Sequence, residues 1–294
     1  MPSAVFWPLL LGLVWLAVGL ITWWSEASAL SWRGALALVA LGPPFVAAAL
    51  AAFAGEHFTA APALAQLVPR WLPGRLFIAY FVGVAHLAAA TSIVLRRGLR
   101  WSGLGLAVMF GLFVLLMDLP GALEHPGLRL AWMLAARETT FAVGGLTLFA
   151  AAIHEQSPRL SDRLETIAKL WIACVLVIYG VNHVIAPQYS PGVPDAMLTA
   201  AWVPAPIILG YATGILLIVF GVAMLTDRNA SAAAAYAGLV FLALTIVLYV
   251  PQFFLAHSAP DRVTALNFVF DTLLFAGTVL LIGRVIVRSR YASV

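Results

Sequence analysis

Six ionisable side chains stand in otherwise apolar stretches of the first half of this sequence: Glu56, His57, His86, Asp118, Arg137 and Glu138. Burying such groups is costly, so an ionisable residue in an apolar span is a functional candidate by default. Their types define a chemistry. A carboxyl such as Glu56 or Glu138 can pass a proton, and an imidazole such as His57 or His86 can hydrogen-bond a carbonyl. The guanidinium of Arg137 can stabilise an anion. Plainer roles stand beside these. Asp118 and Arg137 suit an ion pair that locks two helices, Glu56 and His57 a helix end, and His86 a packing position. The set includes metal-ligand types, yet no H-x-x-H, E-x-x-H or H-E-x-x-H spacing occurs and Arg137 repels a cation, so no metal is expected. Haem b is not expected either, because His57 and His86 belong at different depths.

These residues sit in a repeated unit. Trp71, Pro73, Tyr80, Gly83 and Pro120 return as Trp202, Pro204, Tyr211, Gly214 and Pro251, each 131 residues on. Gly55 and His57 return as Gly180 and His183. A constant shift over uncommon residue types marks a tandem duplication, and the copies align internally. Against Glu56, His57, His86 and Asp118 the second copy has Asn182, His183, Leu217 and Tyr249. It has no Arg–Glu pair, although Asn267 and Asp271 fall at a similar depth in the last apolar stretch. The expected ligand-binding set is therefore in the first copy, with Asn182, His183, Tyr249 and Asp271 as second-copy counterparts.

Apolar residues make up 63% of the chain and charged residues 10%, with mean hydropathy +1.02. A soluble domain carries about 25% charged residues, so the chain reads as an all-α integral membrane protein. Nine stretches are long enough to cross about 30 Å of hydrocarbon: 4–24, 37–57, 75–95, 102–120, 131–153, 168–187, 205–225, 232–254 and 265–287. The first lacks a basic leader and reads as a retained span. The rest form two parallel four-helix bundles, so the expected units are 1–34 (extra helix and loop), 35–153, a linker at 154–167 and 168–294.

Orientation follows from Lys and Arg. Arg33, Arg96, Arg97, Arg100, Arg159, Arg163, Lys169, Arg228, Arg284, Arg288 and Arg290 fall on one side, against Arg70, Arg75, Arg129 and Arg262 on the other. The positive-inside rule puts the first group in the cytoplasm, with the N-terminus outside and the C-terminus inside. Glu56, His57, Asp118, Arg137 and Glu138 then gather in the outer third and His86 nearer the midplane. The net charge of +4 resides in short loops and at the C-terminus, so it does not point to nucleic acid. The single Cys174 excludes an intramolecular disulfide, a CxxC pair and an iron–sulfur cluster.

The motifs G-E-H-F (Gly55 to Phe58), V-P-R-W-L-P-G (Val68 to Gly74), A-Y-F-V-G (Ala79 to Gly83), D-L-P (Asp118 to Pro120) and R-E (Arg137, Glu138) resemble the DoxX family of four-helix bacterial membrane proteins. So do G-V-N-H (Gly180 to His183), P-G-V-P (Pro191 to Pro194), W-V-P (Trp202 to Pro204), G-Y-A-T-G (Gly210 to Gly214) and D-T-L-L-F-A-G (Asp271 to Gly277). The chain departs from the family at Asp118, where relatives often have His, and at Asn182, where they often have Glu. The resemblance implies a multi-pass protein of the bacterial inner membrane. It also implies a redox-linked subunit that binds a quinone-like amphipathic ligand near the outer face, with no covalent cofactor. Such a subunit needs an oxidoreductase partner, since this chain holds no redox centre. A lipid or small-molecule binder or transporter without redox chemistry, and a structural or assembly factor, remain open beside it, and so does whether the chain is an enzyme.

Overall fold

In a computed structural model the chain is helical nearly throughout. Residues 1–29, 34–192, 197–227 and 229–291 are described, without the side chains of 24–29, 34–35 and 288–291. Arg33 and Arg228, two of the orientation-setting charges, and Pro194 lie outside the described residues, as do the side chains of Arg288 and Arg290. Among the described residues no strand occurs beyond one isolated bridge, Tyr189 to Leu198.

Helix α1 (Ser3–Ala29) is followed by a 3-10 stretch (Gly34–Leu41) that runs into α2 (Gly42–Thr59), whose first turn carries Pro43 and Pro44. Proline suits that turn because the first N–H groups of a helix have no intrahelical acceptor. Next come the short α3 (Ala61–Leu64), α4 (Arg75–Leu95) and α5 (Leu99–Phe113). A π-helical segment, Val114–Asp118, leads into α6 (Leu119–Glu124), then α7 (Arg129–Ile153). The second half contains α8 (Pro158–Ile185), α9 (Pro206–Leu225), α10 (Ala230–Leu244), a π segment at Thr245–Tyr249, α11 (Val250–Leu255) and α12 (Ala259–Tyr291).

The two π segments have one cause. Pro120 and Pro251 follow them by two residues. Proline has no N–H for the carbonyl four residues back and its ring clashes there. A widened turn places that carbonyl elsewhere without ending the helix. The bounds of the α5–π–α6 and α10–π–α11 stretches differ by 131 residues at every point.

Eight helical stretches of the described residues are long and apolar enough to cross a membrane, so the chain is an all-helical polytopic membrane protein. α7 falls short of that measure because it carries Arg129, Arg137 and Glu138. The expected linker also differs. Only 154–157 are non-helical, and Pro158 opens α8, whose first three turns are polar. Hydropathy marks where a helix enters hydrocarbon, and α8 starts before that point.

The core is made by α2 and α12. The spanning window of α12 is 89% buried, against 22% for α1 and 17% for the stretch from α5 through α6. Where α2 meets α12 the backbones nearly touch: a β-carbon on Gly42 would sit 2.6 Å from the Leu281 nitrogen, and one on Gly277 2.8 Å from the Val46 nitrogen. Small residues permit such approaches, which supply dispersion contact where lipid removes the hydrophobic drive. The packing is reciprocal. α2 pairs with α4 as α8 does with α9, and α5 with α7 as α10 does with α12. The last helix of each half packs on the first helix of the other, α7 on α8 and α12 on α2, while α7 and α12 also meet. Phe77, Ile208, Val247 and Phe254 are exposed on the outside, as lipid-facing side chains are.

A polar cluster shared between the two halves

Arg137, about two turns into α7, is the centre of the site. Its Nη1 donates to Asp271 Oδ2 at 2.9 Å and its Nη2 to Glu138 Oε1 at 3.1 Å. Asp271 comes from α12 because α7 and α12 meet at the junction of the halves. One turn earlier on α12, Asn267 donates through Nδ2 to Glu56 Oε2 of α2 at 3.1 Å. Arg137 and Glu138 keep 20% and 16% of their side-chain surface exposed, so the cluster is reachable from the surface of the molecule.

One sequence expectation is corrected here. Asp118 makes no ion pair with Arg137 among the described residues. Asp271 and Glu138 hold the guanidinium, and Asp118 Oδ2 is buried without a hydrogen-bond partner. The expectation kept both partners within one copy, whereas α12 of the other half also packs on α7 and supplies Asp271. Adjacent residues on a helix point about 100° apart, yet Arg137 and Glu138 do meet, because both side chains are long enough to curve together.

The histidines form a second part. His57 Nδ1–H donates to the Ala79 carbonyl at 2.8 Å, which fixes that ring. His86 is buried, and neither of its ring nitrogens has a partner. Its ring lies 5.5 Å from that of His57, 6.1 Å from Phe53 and 5.6 Å from Phe110. Gly83 brings the two helices together: a β-carbon there would sit 2.8 Å from His57 Cβ, so α4 presses directly on α2 and His86 follows one turn along. From His86 a series of ring contacts runs through Phe110, Phe141 and Phe275 to Tyr179, with centroid separations of 5.5 to 6.3 Å. The Tyr179 hydroxyl donates to the Met133 carbonyl at 2.9 Å, on the same helix as Arg137.

The second-copy counterparts divide. His183 Nε2 accepts from the Gly192 N–H at 3.2 Å, and the Tyr249 hydroxyl donates to the Pro191 carbonyl at 2.7 Å. Buried Asn182, next to His183, has no partner for its Nδ2. His183 and Tyr249 therefore grip their own loop, while Asp271 crosses to the first-copy cluster. Sequence reasoning left Asn267, Tyr179 and Phe110 out of the site. For Asn267 the signal was present, since it stands four residues before Asp271 and shares its helix face.

The chemistry follows from charge. Four carboxyls, on Glu56, Asp118, Glu138 and Asp271, accompany one guanidinium. Unpaired buried charge is unfavourable, and one guanidinium balances one carboxylate. The remaining carboxyls suit holding exchangeable protons. Among the described residues no group of three or more His, Cys, Asp or Glu side chains is disposed to hold a metal ion.

A family model described as a domain of unknown function (DUF8561) matches residues 46–124, less than half of the chain. That segment contains Glu56, His57, His86 and Asp118. No curated protein and no solved structure matches the chain.

Proposed function

We propose that the chain is a tandem-duplicated, DoxX-like protein of nine spans in the bacterial inner membrane that binds a quinone-like amphipathic ligand at this cluster. The outer half of the membrane holds the site, and the C-terminus is cytoplasmic. The matched bounds of the two π-interrupted helices and the reciprocal packing support the duplication. α7, at 25 residues, is long enough to serve as the ninth span.

The observation that carries the ligand reading is His86. Its two ring nitrogens are without partners, aromatic rings surround it, and His57 adjoins it. An unsatisfied donor in apolar surroundings is unfavourable, by roughly 1–3 kcal/mol. A ligand carbonyl relieves that, and a flat apolar ring suits the aromatic walls. The roles then follow. His86 hydrogen-bonds the carbonyl, Glu138 or Glu56 passes protons, and Arg137 stabilises an anionic form. Electrons come from a partner oxidoreductase. Mass spectrometry of small molecules carried by protein extracted in native-lipid nanodiscs tests the reading. A stoichiometric quinone supports it, and a stoichiometric non-redox amphiphile in its place contradicts it.

A further inference from the structure

Three of the buried hydroxyls, on Thr140, Thr147 and Thr278, lie along one seam. Positions 137, 140, 144, 147 and 151 of α7 are spaced three and four apart, so they share one helix face. That face looks into the junction where α7 packs on α8 and α12. Arg137 stands at one end of it, bonded to Asp271 of α12. One turn on, Thr140 is fully buried. Its hydroxyl accepts from the Trp171 indole N–H of α8 at 3.1 Å and donates to the Ala136 carbonyl at 2.8 Å. At Gly144 the next polar side chain comes from α12: a β-carbon on Gly144 would sit 3.0 Å from Thr278 Oγ1, and Thr278 is buried too. Thr147 follows, fully buried, with its hydroxyl bonded to the Val143 carbonyl at 2.8 Å.

Beyond Thr147 the seam meets a cavity of about 220 Å3, at the end of the bundle opposite the polar cluster. Its α7 and α12 walls include Leu148, Ala151 and Leu281, within about one turn of Thr147 and Thr278. Trp23, Arg96 and Arg284 also line it, and both arginines have partners, so they make a polar wall and not a free charge. A polar wall and this volume admit water. From Thr147 to Arg137 the face covers about 15 Å of helix, at roughly 1.5 Å per residue. Successive polar groups are about 5 Å apart along the axis. One water bridges such a gap through two hydrogen bonds of about 2.8 Å.

We propose that this seam carries protons between the cavity and the Arg137 cluster. Water in the cavity supplies the proton. A hydroxyl or water that accepts a proton on one side gives one up on the other, so every member of the file ends with the protons it began with. Asp271 or Glu138 takes the last one as a carboxyl, and the partial exposure of Glu138 lets it leave from there. Threonine suits the task because its oxygen both donates and accepts, as that of Thr140 does here. The proposed orientation makes the cavity the cytoplasmic end of the file. The path uses the carboxyls of the cluster and not its ligand, so it stands or falls apart from the quinone reading.

Proteoliposomes with the pH-sensitive dye pyranine trapped inside test the path, with a valinomycin–potassium potential as the driving force and no quinone present. The wild type moves protons faster than empty liposomes do. Thr147→Val and Thr278→Val keep the shape and remove the hydroxyl, so each lowers the flux roughly 5- to 10-fold. Thr147→Ser keeps the hydroxyl and retains the flux. Thr245→Val removes a buried hydroxyl bonded in the same way, to the Phe241 carbonyl, but off the seam, and leaves the flux unchanged. Melting curves establish that each variant is folded. Wild-type flux no faster than that of empty liposomes overturns the proposal whether or not the variants fold. Undiminished flux in either folded seam variant, or an equal loss in Thr245→Val, overturns it too.

Discussion

Arg137 gives the site a strong energetic signature, because its partners Glu138 and Asp271 come from the two halves of the chain. Removing one partner of a buried pair leaves the other charge unmatched, at roughly 3–5 kcal/mol. Partial exposure of Arg137 puts the expected loss near the lower end of that range. Asp271→Ala and Arg137→Ala should each lower unfolding stability in detergent, and the double variant should lose clearly less than their sum. Asp118→Ala with Arg137→Ala should show a clearly smaller coupling than that pair, since no hydrogen bond joins them. The reverse pattern in these two cycles would restore the Asp118 pairing. All six polar residues of the first copy were legible from the sequence, since charge in an apolar stretch is conspicuous. Their partners were not. Ion pairing depends on which helix of the other half faces α7, and an internal alignment compares the copies without docking them.

At the scale of elements, the two π segments end on Asp118 and Tyr249, and the copies use that position differently. Tyr249 ties down Pro191, and His183 ties down Gly192. Tyr249→Phe removes one buried hydrogen bond and strands the Pro191 carbonyl, with an expected stability loss of about 1 kcal/mol. Hydrogen exchange at Gly192 should accelerate, while exchange near Arg137 on α7 should not change. Unaltered exchange at Gly192 would mean that the loop is held by other contacts. Helix positions were read well from the sequence: 75–95 corresponds to α4 residue for residue. Most of the 154–167 segment is helical, which the sequence did not reveal because a polar helix of the PRLSDRLETI kind has no apolar run to mark it. Helicity and membrane insertion are separate properties, and hydropathy reports the second. The π turns were also hidden, since Pro120 and Pro251 indicate a disturbance without its form.

For the whole molecule, the helices share a core built around α2 and α12. The proposed topology fixes which face the polar cluster serves, the outer one. A C-terminal green fluorescent protein fusion should fluoresce, and a C-terminal alkaline phosphatase fusion should be inactive. Periplasmic phosphatase activity would invert that assignment. The sequence also favoured a first-copy site with the second copy as packing. The contacts of Asn267 and Asp271 change that picture, because the cluster needs helices from both halves. The Trp and Pro spacing pointed to a duplication, whereas the packing of α12 against both α2 and α7 emerges only from the structure.

The proposed ligand site joins His86 to the Arg137 cluster, which helices from both halves build. Titration of purified protein in nanodiscs with a short-chain ubiquinone tests this most directly, read by equilibrium binding on matched folded variants. Wild-type protein should bind saturably. His86→Phe keeps the packing and removes the hydrogen bond, so the affinity should fall roughly 3- to 10-fold. Glu138→Gln and Asp271→Asn should both weaken binding, and Asn182→Ala should leave it unchanged. Saturable binding that His86→Phe does not alter, or an Asn182→Ala effect as large as that of Asp271→Asn, would contradict the shared site, and no saturable binding at all would contradict the quinone reading.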